Sequence, residues 1–437
     1  VAGVIMEQMG SSTITLNRNF VSFWEYLPAV LVCCLMPLGL QNMVSLLWSL
    51  ILLGVLLVTL SSSRVQLKRI LIAVFLVRVF FIFADTNFNL LPYIWDNYHG
   101  IAIAIKKNLL AGAPLFSGLR VPESVKGYAL FSSFLYLIFG DISTIVRITN
   151  AFFASLAVLR IYQICLEIFD NQKIALRSSM LFGLLPSFIV YSSLHMRDSI
   201  ILLLSVDFVY RIIEYTKTKN LSSLFFLITN IALMYFFRPQ NMLLFMFIGC
   251  CYVFVSKMYH RALLYKFSTV IVSIIFFMAL LNWLDKSGLS KTILNSKTVF
   301  NYINATLYSR IEGGAAYLQG FKYTSWLDVF KYLPLRFVYF TFGPLPWHID
   351  NLFMLLSFFE VLFLSFFIIL TLKFWMLKDK ANFKYILLLL LFGLLGLAAN
   401  SLMDSNYGTA IRHRMNFVFV FLIFGSAYLQ QFRIKLL

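Results

Sequence analysis

A run of about 20 apolar residues leaves a chain few choices, because such a run either crosses a bilayer as a helix or is buried in a large core. This sequence has several runs of that kind, or nearly so with their flanks: 43–60, 70–83, 267–281, 352–372, 386–399 and 417–429. Only 12% of residues are charged, against about 25% in soluble domains, and the mean hydropathy is +0.85. A soluble globular domain is therefore excluded. Lipid offers the backbone no hydrogen-bond partners, and the alternating strands of a barrel are absent, so the expected fold class is all-α, a polytopic membrane helix bundle.

The net charge of +18 does not mark a nucleic-acid binder, because the cations form no single basic tract with interleaved aromatics. They sit in short loops between apolar runs: Arg64, Lys68 and Arg69; Lys173 and Arg177; Lys217 and Lys219; Lys257, Arg261 and Lys266; Lys373, Lys378, Lys380 and Lys384; Arg433 and Lys435. Loops of this kind face the cytoplasm. Alternating the runs against them predicts twelve spans, at 22–40, 43–61, 69–84, 143–168, 175–195, 199–214, 221–237, 240–256, 267–284, 351–373, 384–400 and 415–432, with both termini cytoplasmic.

Two further apolar pieces, 128–139 and 333–347, are short, and the second is interrupted by Pro334, Pro344 and Pro346. If both crossed, three cationic loops would move outside, so they are expected in the outer interface or as re-entrant helices. Two long outer segments result, about 85–142 and about 285–350, within a single membrane domain covering 1–437. The first is expected to carry catalysis and the second substrate recognition. The five cysteines lie in apolar runs without metal-ligand spacing, as lipid-facing or packing residues do, and say little about redox compartment.

Carboxylates are costly to keep in so apolar a chain, and two of them stand at corresponding points. Trp95-Asp96-Asn97-Tyr98-His99 follows one span and His195-Met196-Arg197-Asp198 follows another, which puts Asp96 and Asp198 on one side of the membrane. After Asp96, the residues Ile101, Ile105 and Leu109 fall at i, i+4, i+8, as in an interfacial amphipathic helix, although the Ile-Ala alternation also permits a strand. Structural readings stand beside the catalytic one. Asp96 could cap that helix, Tyr93, Trp95 and Tyr98 could form an aromatic belt, and Asp198 could complement a helix dipole.

His99, His195, His348 and His413 fall on the same outer side, as do Arg197, Arg238, Arg336, Arg412 and Arg414. Arginines at helix ends often snorkel to lipid headgroups. Guanidinium and imidazole groups beside two carboxylates are also what a phosphate leaving group and a general base require.

Several of these residues form a pattern that resembles a known family. Asp96-Asn97-Tyr98-His99 with Ala102 and Gly112, after a span containing Arg78, is similar to the first outer loop of GT-C glycosyltransferases. These are the membrane enzymes of the dolichyl-phosphate-mannose mannosyltransferase and aminoarabinose transferase type. The likeness continues through Gly127-Tyr128, Leu137-Ile138-Phe139-Gly140, Arg147-Ile148-Thr149-Asn150, Pro186 and the stretch 192–198, covering about residues 70–215. Gly343-Pro344-Leu345-Pro346-Trp347 and Ile411-Arg412-His413-Arg414 resemble the C-terminal spans of bacterial members in polysaccharide pathways.

The resemblance implies inverting transfer of a sugar from a polyprenyl-phosphate carrier to a glycan, lipid or protein acceptor, at the outer face of a bacterial inner membrane. Asp96 would be the general base, with Asp198 beside it and Asp85 a competitor for the role. Tyr98, His99, His195, Arg197, Arg238, Arg412 and His413 would hold the substrates. Many relatives carry a second acid directly beside the loop aspartate. Asn97 stands there in this chain, which leaves Asp96 and Asp198 to share any divalent cation, Mg or Mn. Two other activities fit a chain of this layout: a polymerase or ligase acting on lipid-diphosphate-linked oligosaccharides, and a transporter or flippase for lipid-linked sugars. Transporters tend to show paired halves meeting at mid-bilayer, and no such halves are visible.

Overall fold

The computed structural model describes residues 40–61, 63–91, 96–257, 298–311, 315–377 and 382–436. The expected spans at 22–40, apart from residue 40, and at 267–284 lie outside the described residues, as do Tyr93 and Trp95. Among the described residues there are fifteen α-helices and no strand, only an isolated bridge between Ala316 and Asn406.

The helices are α1 (Leu40–Thr59), α2 (Val65–Phe88), α3 (Tyr98–Leu110), α4 (Glu123–Phe139), α5 (Ser143–Phe169), α6 (Gln172–Gly183), α7 (Pro186–Ser192), α8 (Asp198–Thr218), α9 (Leu221–Phe237) and α10 (Pro239–Lys257). After the residues not described come α11 (Val299–Tyr308), α12 (Trp326–Phe342), α13 (Leu352–Trp375), α14 (Phe383–Ser401) and α15 (Tyr407–Leu436). By length and composition α1, α5, α13 and α14 can each cross a bilayer, and the bent pair α6–α7 is either a fifth, broken span or a re-entrant loop. Next in apolar character come the shorter α9 and α10.

Burial in this bundle is reversed on its outer surfaces. Along α13, Leu352, Leu356, Phe359, Leu362, Phe366 and Ile369 are all exposed, a stripe at helical spacing. In water such a stripe would forgo about 1.5–3 kcal/mol per side chain, whereas lipid accommodates it at no such cost. The opposite face of α13 buries Ser357, Glu360, Val361 and Leu364.

At the centre runs α5, packed along α2, α6 and α8. Its buried Ala151, Ala154, Ser155 and Ala157 allow close backbone approach, as small residues do where helices associate in lipid. A smaller, separate core of Val299, Ile303, Leu307, Tyr323 and Val329 joins α11 to the start of α12.

The cationic loops among the described residues gather at one end. Lys217 pairs with Glu167 at 2.8 Å, Arg64 donates to Gln172, and Asn382 donates to the Ile168 carbonyl at 2.8 Å. The opposite end collects the end of α2, the starts of α5, α8 and α15, and the α9–α10 corner.

Three local expectations change. The span expected at 175–195 is broken at Leu184-Leu185 and bends by 62° between α6 and α7. Pro334 does not interrupt its segment but lies inside α12, which opens on a capping box of Ser325 and Asp328. The segment after Asp96 is helical, but its buried face is Tyr98, Ala102 and Ile105, and Leu109 is exposed. The ring of Tyr98 sets that face, meeting Tyr128 edge-on at 4.9 Å.

Candidate active site

The break before Pro186 creates the corner that carries His195 and Asp198. Proline supplies no N–H and suits the first turn of a helix. The next donors, the backbone N–H and hydroxyl of Ser187, both go to the buried carboxylate of Glu360 on α13, at 2.8 and 2.5 Å. A carboxylate at a helix N-terminus satisfies donors that lipid cannot. The short α7 then ends and the chain turns through 193–197.

Three side chains hold that turn. Arg78 Nε donates to Ser192 Oγ at 2.6 Å, Arg147 Nε to the Ser193 carbonyl at 2.7 Å, and Asn150 Nδ2 to the carbonyls of Leu194 and Met196 at 2.8 Å each. Arg147 also pairs with Asp85 at 2.7 Å. That pairing, together with the bond from the Leu91 N–H to Asp85, commits Asp85 to bracing the loop.

Asp198 begins α8 and is 4% exposed. Its Oδ2 accepts from Nε and Nη2 of Arg412, on α15, at 3.1 and 2.9 Å. The same Nη2 donates to Asp96 Oδ2 at 3.0 Å. Asp96 is the open member of the trio, with 40% of its side chain exposed against 13% for Arg412. The residue before α3 is Asn97, which makes no side-chain cap, so the Asp96 carboxylate faces the arginine and not the helix.

Beside this trio lies a second chain of buried charge. Arg310 and His413 both bind the carboxylate of Asp404, His413 through Nδ1 at 2.7 Å. Arg238 Nη2 lies 2.7 Å from His413 Nε2. A guanidinium can only donate, so Nε2 accepts and the proton of His413 sits on Nδ1, directed at Asp404. Burial works against the charge of Asp404, but Arg310 and His413 outweigh it and hold its pKa well below the usual carboxylate range. Both ring nitrogens of His413 are engaged, so its part is to orient Arg238. The Nε of Arg238 is buried without a partner. Arg197 makes one long contact, 3.5 Å, to the Phe237 carbonyl.

His195 is similarly enclosed. Its Nε2 lies 3.0 Å from Ser132 Oγ and its Nδ1 3.1 Å from Ser143 Oγ. Burial, then His99 and Arg147, push its pKa down to about 3, so the ring is neutral at neutral pH. Tyr136 Oη bridges towards His99 Nδ1 at 2.6 Å. Tyr98 is buried beneath, its ring stacked with His195 at 6.4 Å. A cavity of about 410 Å³ opens here, reaching from Asp85 and Asn89 past Asp96 and His99 to His195.

Of the residues expected at the site, Asp96, Asp198 and Arg412 meet directly, and Arg238 and His413 form a second pair. Tyr98, His99 and His195 line or support the cavity. Arg336 and Arg414 instead hold the polypeptide: Arg336 bonds the carbonyls of Ser401 and Asp404, and Arg414 that of Gly343. His348 faces Tyr407 at 3.2 Å.

Asp404 and Arg310 were not anticipated. The signal for Asp404 was present, an acid between two apolar runs like Asp96 and Asp198, but Arg310 lies in a polar segment with nothing to single it out. Between Asp96 and Asp198, where a shared cation would sit, stands the Arg412 guanidinium. Among the described residues no group of three or more His, Cys, Asp or Glu side chains converges on one point, so this donor set does not fit a divalent cation.

The family model described as dolichyl-phosphate-mannose-protein mannosyltransferase matches residues 127–284. That stretch holds Asn150, His195, Arg197, Asp198 and Arg238, but not Asp96, Asp404 or Arg412. No curated protein and no solved structure matches the chain. Over a little more than a third of its length, the chain is similar to a family of membrane glycosyltransferases.

Proposed function

We propose that the protein is a membrane glycosyltransferase that moves a sugar from a polyprenyl-phosphate carrier to an acceptor hydroxyl, with inversion, at the face bearing Asp96. The observation that carries this reading is the junction of Asp96, Asp198 and Arg412 at one end of the bundle, where an open carboxylate stands beside concentrated positive charge. The matched family supplies the donor class.

In the reaction, Asp96 takes the proton of the acceptor hydroxyl as that oxygen bonds to the anomeric carbon. The bond from that carbon to the carrier phosphate breaks on the opposite side, and the phosphate leaves with the electron pair. A base must be ionised and within reach of the proton it takes. Asp96 is the more exposed of the two aspartates, while Asp198 stays buried and holds Arg412. Negative charge grows on the leaving phosphate, and fixed cations in a site that excludes water stabilise it most. Arg197 and Arg238 have capacity for it, Arg238 through its unpartnered Nε.

Within this reading the lysine-rich end is cytoplasmic by the positive-inside rule, and the Asp96 end faces outward from a bacterial inner membrane. Twelve crossings belong to this reading, and by length and composition the described helices supply four of them, or five if the bent pair α6–α7 is one span. The outer segments 85–142 and 285–350 belong to one membrane domain, the first carrying Asp96 and the second Arg310.

The test supplies purified protein in nanodiscs with a panel of polyprenyl-phosphate sugars and reads sugar release and transfer by mass spectrometry. Wild-type protein is expected to consume one of them, and Asp96→Asn to abolish transfer while the protein stays folded. Transfer undiminished in Asp96→Asn would overturn the assignment of the base. A ladder of products in place of a single added sugar would move the protein to the polymerases.

A further inference from the structure

The proposed reaction leaves the acceptor unnamed, and the 410 Å³ cavity beside Asp96 bears on it. Its size falls within the range of about 300–1,000 Å³ typical of small-molecule sites. Its lining is unusual for a membrane protein. Asp85, Asn89, Asp96, Asn97, His99 and Arg147 contribute carboxylate, amide, imidazole and guanidinium groups, and the apolar lining is limited to Leu91, Leu194 and Met196. We infer that this cavity is the acceptor subsite and that it takes a carbohydrate, so that the acceptor hydroxyl is one carried by a sugar ring. The inference rests on the glycosyltransferase reading.

The lining selects among acceptor classes. A polyhydroxylated ring offers a donor and an acceptor at nearly every carbon, and planar groups that donate and accept in pairs match it. Asn89 and Asn97 can each do both. His99 uses Nδ1 on Tyr136, which leaves Nε2. Arg147 and Asp85, already joined at 2.7 Å, present one donor and one acceptor as a fixed pair. An acyl chain would strip water from Asn89, Asn97 and Arg147 without replacing their hydrogen bonds. An anionic group would face the carboxylates of Asp85 and Asp96. A peptide acceptor is the competing class, and the experiment below sets it directly against free sugars.

Position supports the same assignment. Asp96 lines this cavity and contacts Arg412 at 3.0 Å, so a sugar held here presents its hydroxyl to the carboxylate that is to take its proton. The cations assigned to the leaving phosphate, Arg197 and Arg238, do not line the cavity. Donor and acceptor thus approach Asp96 from different directions, as inversion requires.

Asn89 provides a clean deletion. It follows α2 with φ of 48°, in the left-handed region, where glycine is at least as comfortable as asparagine. Asn89→Gly therefore removes the amide without straining the backbone. A second variant, Leu91→Trp, fills the cavity and removes no polar group.

The experiment measures two rates in nanodiscs: release of sugar to water, and transfer to free hexoses and disaccharides, with a serine-containing peptide as the competing acceptor. Asn89→Gly is expected to raise the KM for the sugar acceptor about fivefold, the usual worth of one hydrogen bond. Leu91→Trp is expected to abolish transfer to sugars. Release of sugar to water is read alongside in each variant, so that a loss of donor turnover is told apart from a loss of acceptor binding. Unchanged sugar-acceptor kinetics in both variants, or transfer to the peptide alone, overturns the inference while leaving the glycosyltransferase reading intact. Failure of the wild type to consume any polyprenyl-phosphate sugar sinks that reading itself. In that event saturation-transfer NMR of wild type and Leu91→Trp with the same free sugars still decides whether the cavity binds carbohydrate.

Discussion

Asp96 and Asp198 accept hydrogen bonds from the same nitrogen, Nη2 of Arg412, at 3.0 and 2.9 Å. One guanidinium thus ties the segment between α2 and α3 to the start of α8 through the start of α15. The two carboxylates are not equivalent, since Asp198 is buried and Asp96 keeps 40% of its side chain exposed.

That asymmetry separates stability from activity. Removing one partner of a buried pair costs about 3–5 kcal/mol, because the other charge is left uncompensated. Arg412→Ala is expected to lose that much, read as a lower thermal midpoint in detergent. Asp96→Asn should stay within about 1 kcal/mol of wild type, as exposed pairs do, yet lose transfer. A large fall in midpoint for Asp96→Asn would count against the division of roles.

Acid should destabilise the corner through His195. Its ordinary pKa of 6.5 is pushed down to about 3 in the folded protein, so the unfolded chain binds the proton first. Stability tied to the neutral ring is complete above pH 6.5 and declines as pH falls from there towards 3. The depressed Asp404 carboxylate loses its contribution only in stronger acid, below the ordinary carboxylate value of 3.8. Thermal unfolding followed from pH 7 to pH 4 should show the decline, with a smaller slope in His195→Gln.

Asp404 acts through His413. With Asp404→Asn, an amide can turn either its oxygen or its NH₂ towards Nδ1, and the NH₂ would demand the tautomer that Arg238 forbids. Arg238 loses its fixed orientation, so the KM for donor is expected to rise about tenfold, in keeping with about 1.5 kcal/mol for a hydrogen bond to a charged group. The acceptor KM should not change, and a parallel change in both constants would indicate general loosening instead.

Gly127 marks a close crossing of α4 over the end of α9. A methyl group there would lie 2.0 Å from the Phe236 carbonyl oxygen, inside any allowed contact. Gly127→Ala should cost about 1–3 kcal/mol, as overpacking does, measurable as a lowered midpoint. Because Phe236 precedes the corner holding Arg238, the donor KM should rise with it.

Hydropathy and charge alternation read the helices closely: 221–237 coincides with α9, and 143–168 falls one residue short of α5. The bend at Leu184-Leu185 had a signal in Gly183 and Pro186, but hydropathy does not weigh such breakers and records burial, not direction. The face of α3 was misread because Ile101, Ile105 and Leu109 make the more regular stripe. The helix is turned instead by Tyr98 packing on Tyr128, a contact that only tertiary structure creates. Asp96 and Asp198 were legible as acids at span ends. Arg412 as the group between them was not, because spacing along a chain says nothing about which end of a distant helix arrives beside it.

The dependence of α7 on Glu360 has a consequence for biosynthesis. A ribosome releases residues 186–192 long before residue 360, and during that interval the amide of Ser187 has no carboxylate to receive it. Later helices must dock before the bend at Pro186 acquires its full set of partners. Insertion of the early helices and completion of this corner are therefore separate events, the second waiting on the last third of translation.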